Sequence, residues 1–374
     1  MTTFHFQNIH ALRRFQWTPS SVCALTGANG SGKSTVLLLL KTLRAAFERG
    51  LPEAVSHVLG GAFNLKNHEA PPDEPMVMGV DDETLRWRVL LTPRGASVDH
   101  LTEESLHDGQ EEVFRRDSLG NYSYRSKRVE PSALATERLG LRWFSESYSE
   151  DKALARMAAI VRGVHVFYDP DIRGLREQGS SATDDRGVQT RGRNVLTMMS
   201  RWLGRQQTDI VRYQFVVDGL RAAFPGTFRN LELEAAGNTI SARFFRPGDE
   251  TPSPISHEAN GLIAMLIHLA GVAAADAGDL VAIDEPEHAL HPFAIRELVR
   301  RTRAWSRQRQ LTVVLTTHSP VLLDELAGEP ERVFVLERGV DPAPARLDEL
   351  RDPAWLARFT LGELYMNGEF ASNV

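Results

Sequence analysis

The chain has 374 residues, of which 42% are hydrophobic and 25% charged, and its formal net charge of -6 argues against an overall polyanion-binding surface. Its one cysteine, Cys23, excludes a disulfide framework and a cysteine-based zinc site and favours a reducing compartment. Residues 1–10 lack a signal-peptide pattern, and the apolar run at 262–275 is shorter than the ~20 residues of a membrane span, so we expect a cytoplasmic protein that does not enter the membrane.

The amino-terminal segment has the pattern of a strand, a loop and a helix. An apolar, partly β-branched run at 22–26 ends at Gly27, and helix-forming residues extend from Lys33 to Glu48 before Gly50 stops them. The glycine-rich segment between the two is therefore predicted to be a strand-to-helix loop.

The middle of the chain is less regular. Residues 51–127 contain an acidic, proline-rich loop and candidate strands at 85–91 and 122–125, which predicts an inserted lid of small strands. Helical periodicity returns at 154–161. The stretch at 174–192, rich in Gly, Ser, Asp and Arg, is predicted to be a mobile surface loop.

The second half of the chain alternates more clearly. Helical stretches reach Phe224, a hairpin pattern follows at 231–245, and an apolar helix starts near Gly261. Strands and helices then alternate, which is typical of a parallel sheet with crossover helices. The predicted elements are a strand at 280–283, a helix at 293–306, a strand at 311–316, a helix at 321–326 and a strand at 333–336.

Residues 27–34, GANGSGKS, fit the phosphate-loop pattern G-x-x-x-x-G-K-[ST], after a predicted strand and before a predicted helix as the motif requires. The glycines let backbone N–H groups turn toward phosphate oxygens, the lysine reaches the β and γ phosphates, and the serine ligates Mg²⁺. The alternative is a glycine-rich turn with an incidental lysine. The expected nucleotide contacts are Gly27, Asn29, Gly30, Ser31, Gly32, Lys33, Ser34 and Thr35, with Ser34 also a metal ligand.

Two further segments supply complementary chemistry. Asp284 and Glu285 follow the strand at 280–283, at the carboxyl edge where open α/β sheets bind ligands. We expect Asp284 to hold magnesium through water and Glu285 to act as general base on the attacking water. His318 follows the next strand, where a histidine can hydrogen-bond the γ-phosphate or the water. A solvated acidic turn and a structural histidine are the alternatives.

Four motifs of this chain, and their order along it, resemble those of ABC-class ATPase heads. Within that class the chain is similar to the stand-alone AAA heads of the OLD and RecF-like group, found in prokaryotic defence and DNA-repair systems. The segments that carry the resemblance are 27–35 (Walker A), 284–287 (Walker B), 289–292 (D-loop) and 317–318 (switch histidine), with 167–173, 192–194 and 361–365 also similar to that group.

The resemblance implies a fold and a division of the chain. The fold is α/β, a P-loop NTPase head of the ABC-ATPase type with a parallel core sheet, and its ligands are ATP and Mg²⁺. The chain is expected to be one head, residues 1–374. Its predicted parts are nucleotide-binding core halves at 1–50 and 276–340, an inserted β lid at 51–130, a helical lobe at 131–275 with a mobile loop at 174–194, and a helical tail at 341–374.

One motif departs from the family pattern. Such heads carry Ser-x-Gly at the start of a helix, which contacts the γ-phosphate bound by the other subunit of a dimer, whereas this chain has Ala259, Asn260 and Gly261 there. Asn260 and the Gly261 backbone can still donate hydrogen bonds at a helix N-terminus, and Ser256 is the alternative if the register differs. We therefore expect Asn260 and Gly261 to contact the nucleotide across a dimer.

Other patterns have two interpretations each. His288 and His291 beside Glu287 fit either a metal cluster or, as we favour, the D-loop. The basic residues at 296–309, and the loop with Arg186, Arg191 and Arg193, fit either a nucleic-acid contact or the more frequent solvated charged face.

By resemblance, the expected function is that of an ATPase that converts ATP and water to ADP and phosphate. It would form an ATP-sandwich homodimer or a higher oligomer, and control a separate effector, such as a TOPRIM-like nuclease or a toxin, in bacterial antiphage defence. Nucleic acid is a candidate partner, and a membrane is not expected. The alternatives are a DNA-binding repair or recombination ATPase of the RecF-like type and the ATP-binding subunit of a membrane transporter. The transporter is disfavoured because a Ser-Gly-Gly-Gln type signature is absent.

Overall fold

The computed structural model describes the chain except residues 62–64, 72, 92–100, 131–137, 184, 186, 206, 338–342 and 372–374. Pro72 of the predicted acidic loop and Arg186 of the predicted basic loop therefore lie outside the described residues. None of the described helices combines the length and the apolar character that crossing a membrane requires.

Strands and helices are interspersed along the chain. The strands are β1 (Thr2–Ile9), β2 (Leu12–Trp17), β3 (Val22–Thr26), β4 (Met76–Asp82), β5 (Leu85–Leu91), β6 (Leu101–Asp108), β7 (Glu111–Arg116), β8 (Tyr122–Tyr124), β9 (Lys127–Val129), β10 (Val164–Phe167), β11 (Ser180–Ser181), β12 (Asn230–Ala236), β13 (Thr239–Phe245), β14 (Ser253–Pro254), β15 (Leu280–Asp284), β16 (Thr312–Thr316), β17 (Val333–Val335) and β18 (Ala345–Arg346). The helices are α1 (Lys33–Arg49), α2 (Leu51–Leu59), α3 (Gly140–Ser147), α4 (Lys152–Arg162), α5 (Ile172–Gln178), α6 (Val195–Gly204), α7 (Ile210–Ala223), α8 (Asn260–Ala274), α9 (Pro292–Arg309), α10 (Pro320–Asp324), α11 (Leu347–Leu350), α12 (Pro353–Leu356) and α13 (Leu361–Met366).

The core sheet has the strand order β10-β15-β16-β3-β17-β18. Its strands pair in parallel from β10 to β17, and β18 is antiparallel to β17. Because side chains alternate along a strand, Val22 and Ala24 of β3 join one apolar core, and Cys23 and Leu25 join the other. Both faces of the sheet are thus covered, as parallel sheets require. The predicted parallel sheet shared by the two ends of the chain is confirmed.

A second sheet is antiparallel, in the order β2-β1-β4-β5-β6-β7-β8-β9. β1 pairs with β4 over six residue pairs, from Thr2 opposite Asp82 to Gln7 opposite Val77. The strands predicted as an inserted lid therefore belong to the same sheet as the amino-terminal hairpin of β1 and β2. This hairpin is not among the predicted elements. The hairpin shares one of the two apolar cores of the core sheet, since Phe4 and Phe6 are buried in the same cluster as Leu25 of β3 and the apolar side chains of α1.

The segment at 174–194 differs from the predicted loop, because most of α5 and the whole of β11 lie in it. The Asp171 carboxylate caps α5 by accepting a hydrogen bond from the Gly174 N–H at 2.9 Å, and Leu175 is fully buried. One cap and one buried leucine hold this short helix within a polar composition that predicts a loop.

The middle of the chain also contributes to the core sheet. β10 lies within the predicted helical lobe, yet it pairs in parallel with β15, with Val164 opposite Leu280 and Phe167 opposite Ile283. The middle is therefore not purely an insertion, since one of the six core strands comes from it.

Glu104 on β6 ties the antiparallel sheet to α3. Its carboxylate is fully buried and accepts hydrogen bonds from Trp87 Nε1 at 2.9 Å, from the Leu141 N–H at 2.8 Å and from the Gly140 N–H. Burial raises the pKa of Glu104, and these three donors oppose that shift.

We expect Glu104→Ala to lower the free energy of unfolding by about 3 kcal/mol, because it leaves the Trp87 indole N–H and two backbone N–H groups buried without a partner. The matched control is Glu103→Ala, which removes only a 3.2 Å surface ion pair with Arg115 and should cost less than about 0.5 kcal/mol. Chemical denaturation measures both values. Equal losses in the two variants would contradict the assignment.

Candidate functional site

Parallel pairing brings three strand ends together at one edge of the core sheet. Asp284 at the end of β15 lies opposite Thr316 of β16, and Thr316 lies opposite Leu25 of β3. Three segments follow these ends: the phosphate loop (27–34), the acidic segment (284–287) and the histidine segment (317–319). The structure therefore gathers at one edge the motifs that are far apart in sequence.

The phosphate loop has the backbone of an anion cradle at the start of α1. Gly30 and Gly32 have φ angles of 75° and 108°, a region that favours glycine. Gly27 has no room for a side chain, because a Cβ there would lie 2.2 Å from the carbonyl oxygen of Leu336. The Ser31 hydroxyl is buried and has no hydrogen-bond partner among the described residues. A phosphate oxygen would give this hydroxyl its partner.

Lys33 is the first residue of α1, and only 6% of it is exposed. Its Nζ donates to the carbonyl oxygens of Gly27 at 2.9 Å and Ala28 at 3.1 Å. Burial lowers the pKa of Lys33, and the three carboxylates of the acidic segment oppose that shift. The lysine thus lies within the phosphate loop, and its charge interacts with the carboxylates that are expected to hold the metal and the water.

Thr316 organises the two predicted carboxylates. Its Oγ1 donates to Asp284 Oδ1 at 2.5 Å and accepts a hydrogen bond from the Glu285 N–H at 3.0 Å. Glu285 has a φ of 43°, so the chain turns sharply between the two carboxylates. Burial raises the pKa of Asp284, with Thr316 opposing the shift and the charge of Glu285 adding to it. Thr316 is not among the residues predicted from the sequence, although a hydroxyl residue at the end of the neighbouring strand is the signal that marks it.

The Glu285 side chain lies between two imidazoles. Its Oε2 is 2.8 Å from His288 Nε2, and its Oε1 is 3.8 Å from His318 Nε2. Burial lowers the pKa of His318, and the nearby Lys33 ammonium adds to this effect. The predicted base and the predicted switch histidine are therefore close together.

Glu287 lies in the predicted Walker B segment but is not among the predicted site residues. Its Oε1 accepts hydrogen bonds from Thr317 Oγ1 and from the His318 N–H, both at 2.8 Å. Its Oε2 is buried without a hydrogen-bond partner among the described residues. Glu287 therefore fixes the backbone of the histidine segment from the acidic segment.

A cavity of about 550 Å³ opens where these segments meet. It is lined by Ala28, Asn29, Glu285, Glu287, His288, His318, Ser319, Tyr365 and Ala371. Ser34 and Thr35 lie on the first turn of α1 and are not among the residues that line this cavity; Ser34 is exposed, and Thr35 Oγ1 is 3.4 Å from His10 Nδ1. Tyr365 comes from the carboxyl-terminal tail and was not among the predicted site residues.

Asn260 and Gly261 do not line this cavity. Asn260 Oδ1 accepts a hydrogen bond from an Arg176 Nη atom at 2.6 Å. A Cβ on Gly261 would lie 2.7 Å from the carbonyl oxygen of Ala289, so the predicted D-loop packs directly on the start of α8. Contact of these residues with a nucleotide stays a prediction that requires a second subunit.

Both histidines and several of the arginines with two interpretations have partners in the described part of the chain. His288 contacts Glu285, and the His291 ring accepts a hydrogen bond from the Phe293 N–H and caps α9. Several arginines of the two basic segments face carboxylates: Arg300 faces Glu297 and Glu325, Arg303 faces Glu329, Arg191 faces Asp169 and Arg193 faces Asp171. These ion pairs favour a solvated charged face over a surface for phosphate backbones.

The family model described as "AAA domain, putative AbiEii toxin, Type IV TA system" matches residues 22–324. The chain belongs to this family. It is an ATPase domain of the P-loop NTPase class, with the ABC-type head fold expected from its motifs. The matched range includes both the phosphate loop and the acidic segment.

Two curated relatives are ATP-binding proteins of energy-coupling factor transporters. EcfA1 of Methanospirillum hungatei is 27% identical over 153 residues, which are 41% of this chain and 49% of that protein. EcfA2 of Lactiplantibacillus plantarum is 34% identical over 97 residues, 26% of this chain and 32% of that protein. The chain thus spans half or less of each relative. Among solved structures, an Smc head bound to the C-winged helix domain of ScpA is 13% identical, with a TM-score of 0.49, 93% of this chain and 98% of that chain covered.

We expect Lys33→Ala to abolish measurable ATP binding while the protein stays folded, because Lys33 supplies the positive charge of the phosphate loop. Titration calorimetry measures the affinity, and circular dichroism checks the fold. The matched control is Lys41→Ala, a lysine of the same helix that donates to the Tyr168 hydroxyl and should leave the affinity unchanged. Unchanged binding by Lys33→Ala would remove the phosphate loop from the site.

Proposed function

We propose that this chain binds ATP and Mg²⁺ at the edge of the core sheet and hydrolyses ATP with Glu285 as general base. The observation that supports this proposal is the meeting of the phosphate loop, Asp284, Glu285 and His318 at one edge of the core sheet, where Glu285 and His318 line the cavity. A cradle for phosphates, a metal carboxylate and a second carboxylate for water are the parts that nucleotide hydrolysis needs.

Each residue has a role that its position supports. Lys33 Nζ would move from the loop carbonyl oxygens to the phosphate oxygens of ATP, which are stronger acceptors because they are charged. Ser34 and Asp284 would hold the Mg²⁺, which supplies charge neutralisation at the β and γ phosphates. Glu285 would take the proton of the attacking water, and His318 would hydrogen-bond the γ-phosphate.

We also propose that two copies of the chain sandwich ATP, as a homodimer or within a higher oligomer. Asn260 and Gly261 would then face the γ-phosphate held by the other subunit. The contact of Gly261 with Ala289 supports this arrangement, because it joins the start of α8 to the segment that follows the catalytic carboxylate.

The output we favour is control of a separate effector, such as a TOPRIM-like nuclease or a toxin, in bacterial antiphage defence. In this proposal the chain is a cytoplasmic member of the OLD and RecF-like group. The family description names a toxin and a type IV toxin–antitoxin system, which supports this setting. In this proposal the whole chain is one head, with core halves at 1–50 and 276–340 and the helical tail at 341–374.

Two alternative functions compare differently with this proposal, and only the first has support of its own. The curated relatives are transporter ATP-binding proteins, which favours a transporter subunit, although Ala259 stands where such a signature has a serine. A repair ATPase that binds DNA requires a basic face, and the arginine ion pairs described above weigh against it.

We expect Glu285→Gln to keep ATP affinity but to lower kcat roughly 100-fold or more, because it removes the base and preserves the shape of the side chain. ATP would then persist, and the variant should accumulate as an ATP-bound dimer. Phosphate release gives the rate, and size exclusion with light scattering, with and without Mg²⁺-ATP, gives the assembly.

The matched control for this test is Glu331→Gln, an exposed glutamate outside the site, which should behave like the parent. Hydrolysis by Glu285→Gln at the parental rate would refute the assigned base. A low rate without any nucleotide-dependent assembly would refute the sandwich dimer and leave the base assignment standing.

The basic helix α9 permits a separate test of the repair alternative. We expect the double change Arg300→Ala and Arg303→Ala to leave affinity for duplex DNA unchanged, because carboxylates already neutralise these side chains. Fluorescence anisotropy over a salt series measures this. Loss of affinity together with a shallower salt dependence, by about one unit of slope per phosphate contact, would instead favour the repair ATPase.

A further inference from the structure

The carboxyl-terminal tail places a tyrosine against the switch histidine. The Tyr365 hydroxyl on α13 lies 2.7 Å from His318 Nδ1, and both residues line the cavity. The other ring nitrogen, Nε2, is 3.8 Å from Glu285 Oε1. Tyr365, His318 and Glu285 therefore form a chain of contacts from the tail to the residue assigned as general base.

The tail is tightly docked at this point. The Gly362 N–H donates to Asp324 Oδ1 at 2.7 Å, and a Cβ on Gly362 would lie 2.8 Å from the carbonyl oxygen of Pro320. Both partners are on α10, the helix that directly follows the histidine segment. α13 also has a complete capping box, in which Thr360 and Glu363 satisfy each other's backbone N–H groups. Tyr365 is thus held by two local restraints and does not depend on His318 for its position.

The chemistry of a neutral imidazole indicates which group donates in the hydrogen bond between Tyr365 and His318. One ring nitrogen of neutral histidine carries a proton and donates, while the other has a lone pair and accepts. Nε2 faces a carboxylate, which only accepts, and would face phosphate oxygens, which also only accept. At 3.8 Å the carboxylate is beyond hydrogen-bond distance, but these acceptors favour a proton on Nε2. Nδ1 is then an acceptor, and the Tyr365 O–H supplies its donor.

We propose that Tyr365 is a positioning residue that fixes His318 in the Nε2–H tautomer and aims this N–H at the acidic segment and the γ-phosphate. Burial and the charge of Lys33 lower the pKa of His318, so the neutral ring is the relevant form near pH 7. The inference rests on the proposed hydrolysis of ATP at this site. It adds the carboxyl-terminal tail to the catalytic machinery.

The first experiment reads the tautomer directly and needs no activity. Long-range ¹H–¹⁵N spectra of the whole protein labelled at histidine, at pH 7.5, distinguish the two tautomers, and the His318→Ala spectrum identifies the signals of His318. We expect the Nε2–H pattern in the parent and a mixture or the Nδ1–H pattern in Tyr365→Phe. An Nδ1–H pattern in the parent, or no change in Tyr365→Phe, would overturn the proposal.

The second experiment is a double-mutant cycle on ATP hydrolysis. Tyr365→Phe should lower kcat about three- to tenfold, the worth of one hydrogen bond, and leave KM for ATP unchanged. In the His318→Ala background the same change should have no further effect, because Tyr365 acts only through His318. Equal losses in both backgrounds would show that Tyr365 acts through the fold instead and would contradict the inference.

Matched controls separate this inference from the proposed function. Tyr213→Phe removes a hydroxyl that donates to the Leu231 carbonyl at 3.3 Å, away from the cavity, and should leave kcat unchanged. If His318→Ala hydrolyses ATP like the parent, the role proposed for His318 fails. If His318→Ala loses activity while Tyr365→Phe has the parental kcat and the parental tautomer, only the inference about Tyr365 fails.

Discussion

The parallel alignment of β3, β15 and β16 is the constraint on which the site depends. Side chains alternate between the two faces of a strand. A register shift of β15 by one residue would therefore turn Asp284 away from Thr316 and move every other side chain of β15 to the opposite face of the sheet. The two apolar cores prevent such a slip, since Val281 and Ile283 belong to one core and Ala282 to the other. Hydrophobic packing on both faces of the sheet therefore sets the geometry of a polar site at its edge.

The site concentrates charge where water is partly excluded. One buried ammonium, on Lys33, faces three carboxylates of the acidic segment. Burial lowers the pKa of Lys33 and raises the pKa of Asp284, which favours the neutral form of each group. Buried charges need partners, and this set of residues has more carboxylates than cations. A magnesium ion would supply the missing positive charge, which is why the proposed substrate is the metal complex of ATP.

The sequence predicted the parts of the fold and the site whose signals are local. The phosphate loop has a spacing motif, and β3, β5 and α1 have strong apolar patterns with clear ends. What it did not predict depends on contacts between distant segments. β1 becomes a strand by pairing with β4, β10 joins the core sheet beside β15, and Glu287 acquires its function only because β16 ends next to it. No pattern within a short window records such pairings.

The pairing of β1 with β4 limits how the chain can be shortened. Removal of residues 51–130 would leave β1 with an unpaired row of backbone N–H and C=O groups along its length. Its apolar residues Phe4 and Phe6 would lose their buried neighbours on β4, Val80 and Met78. An open, apolar edge strand of this kind recruits strands from other molecules and promotes aggregation. Changes in chain length are tolerated better at the far end of that sheet, where β9 already forms its edge.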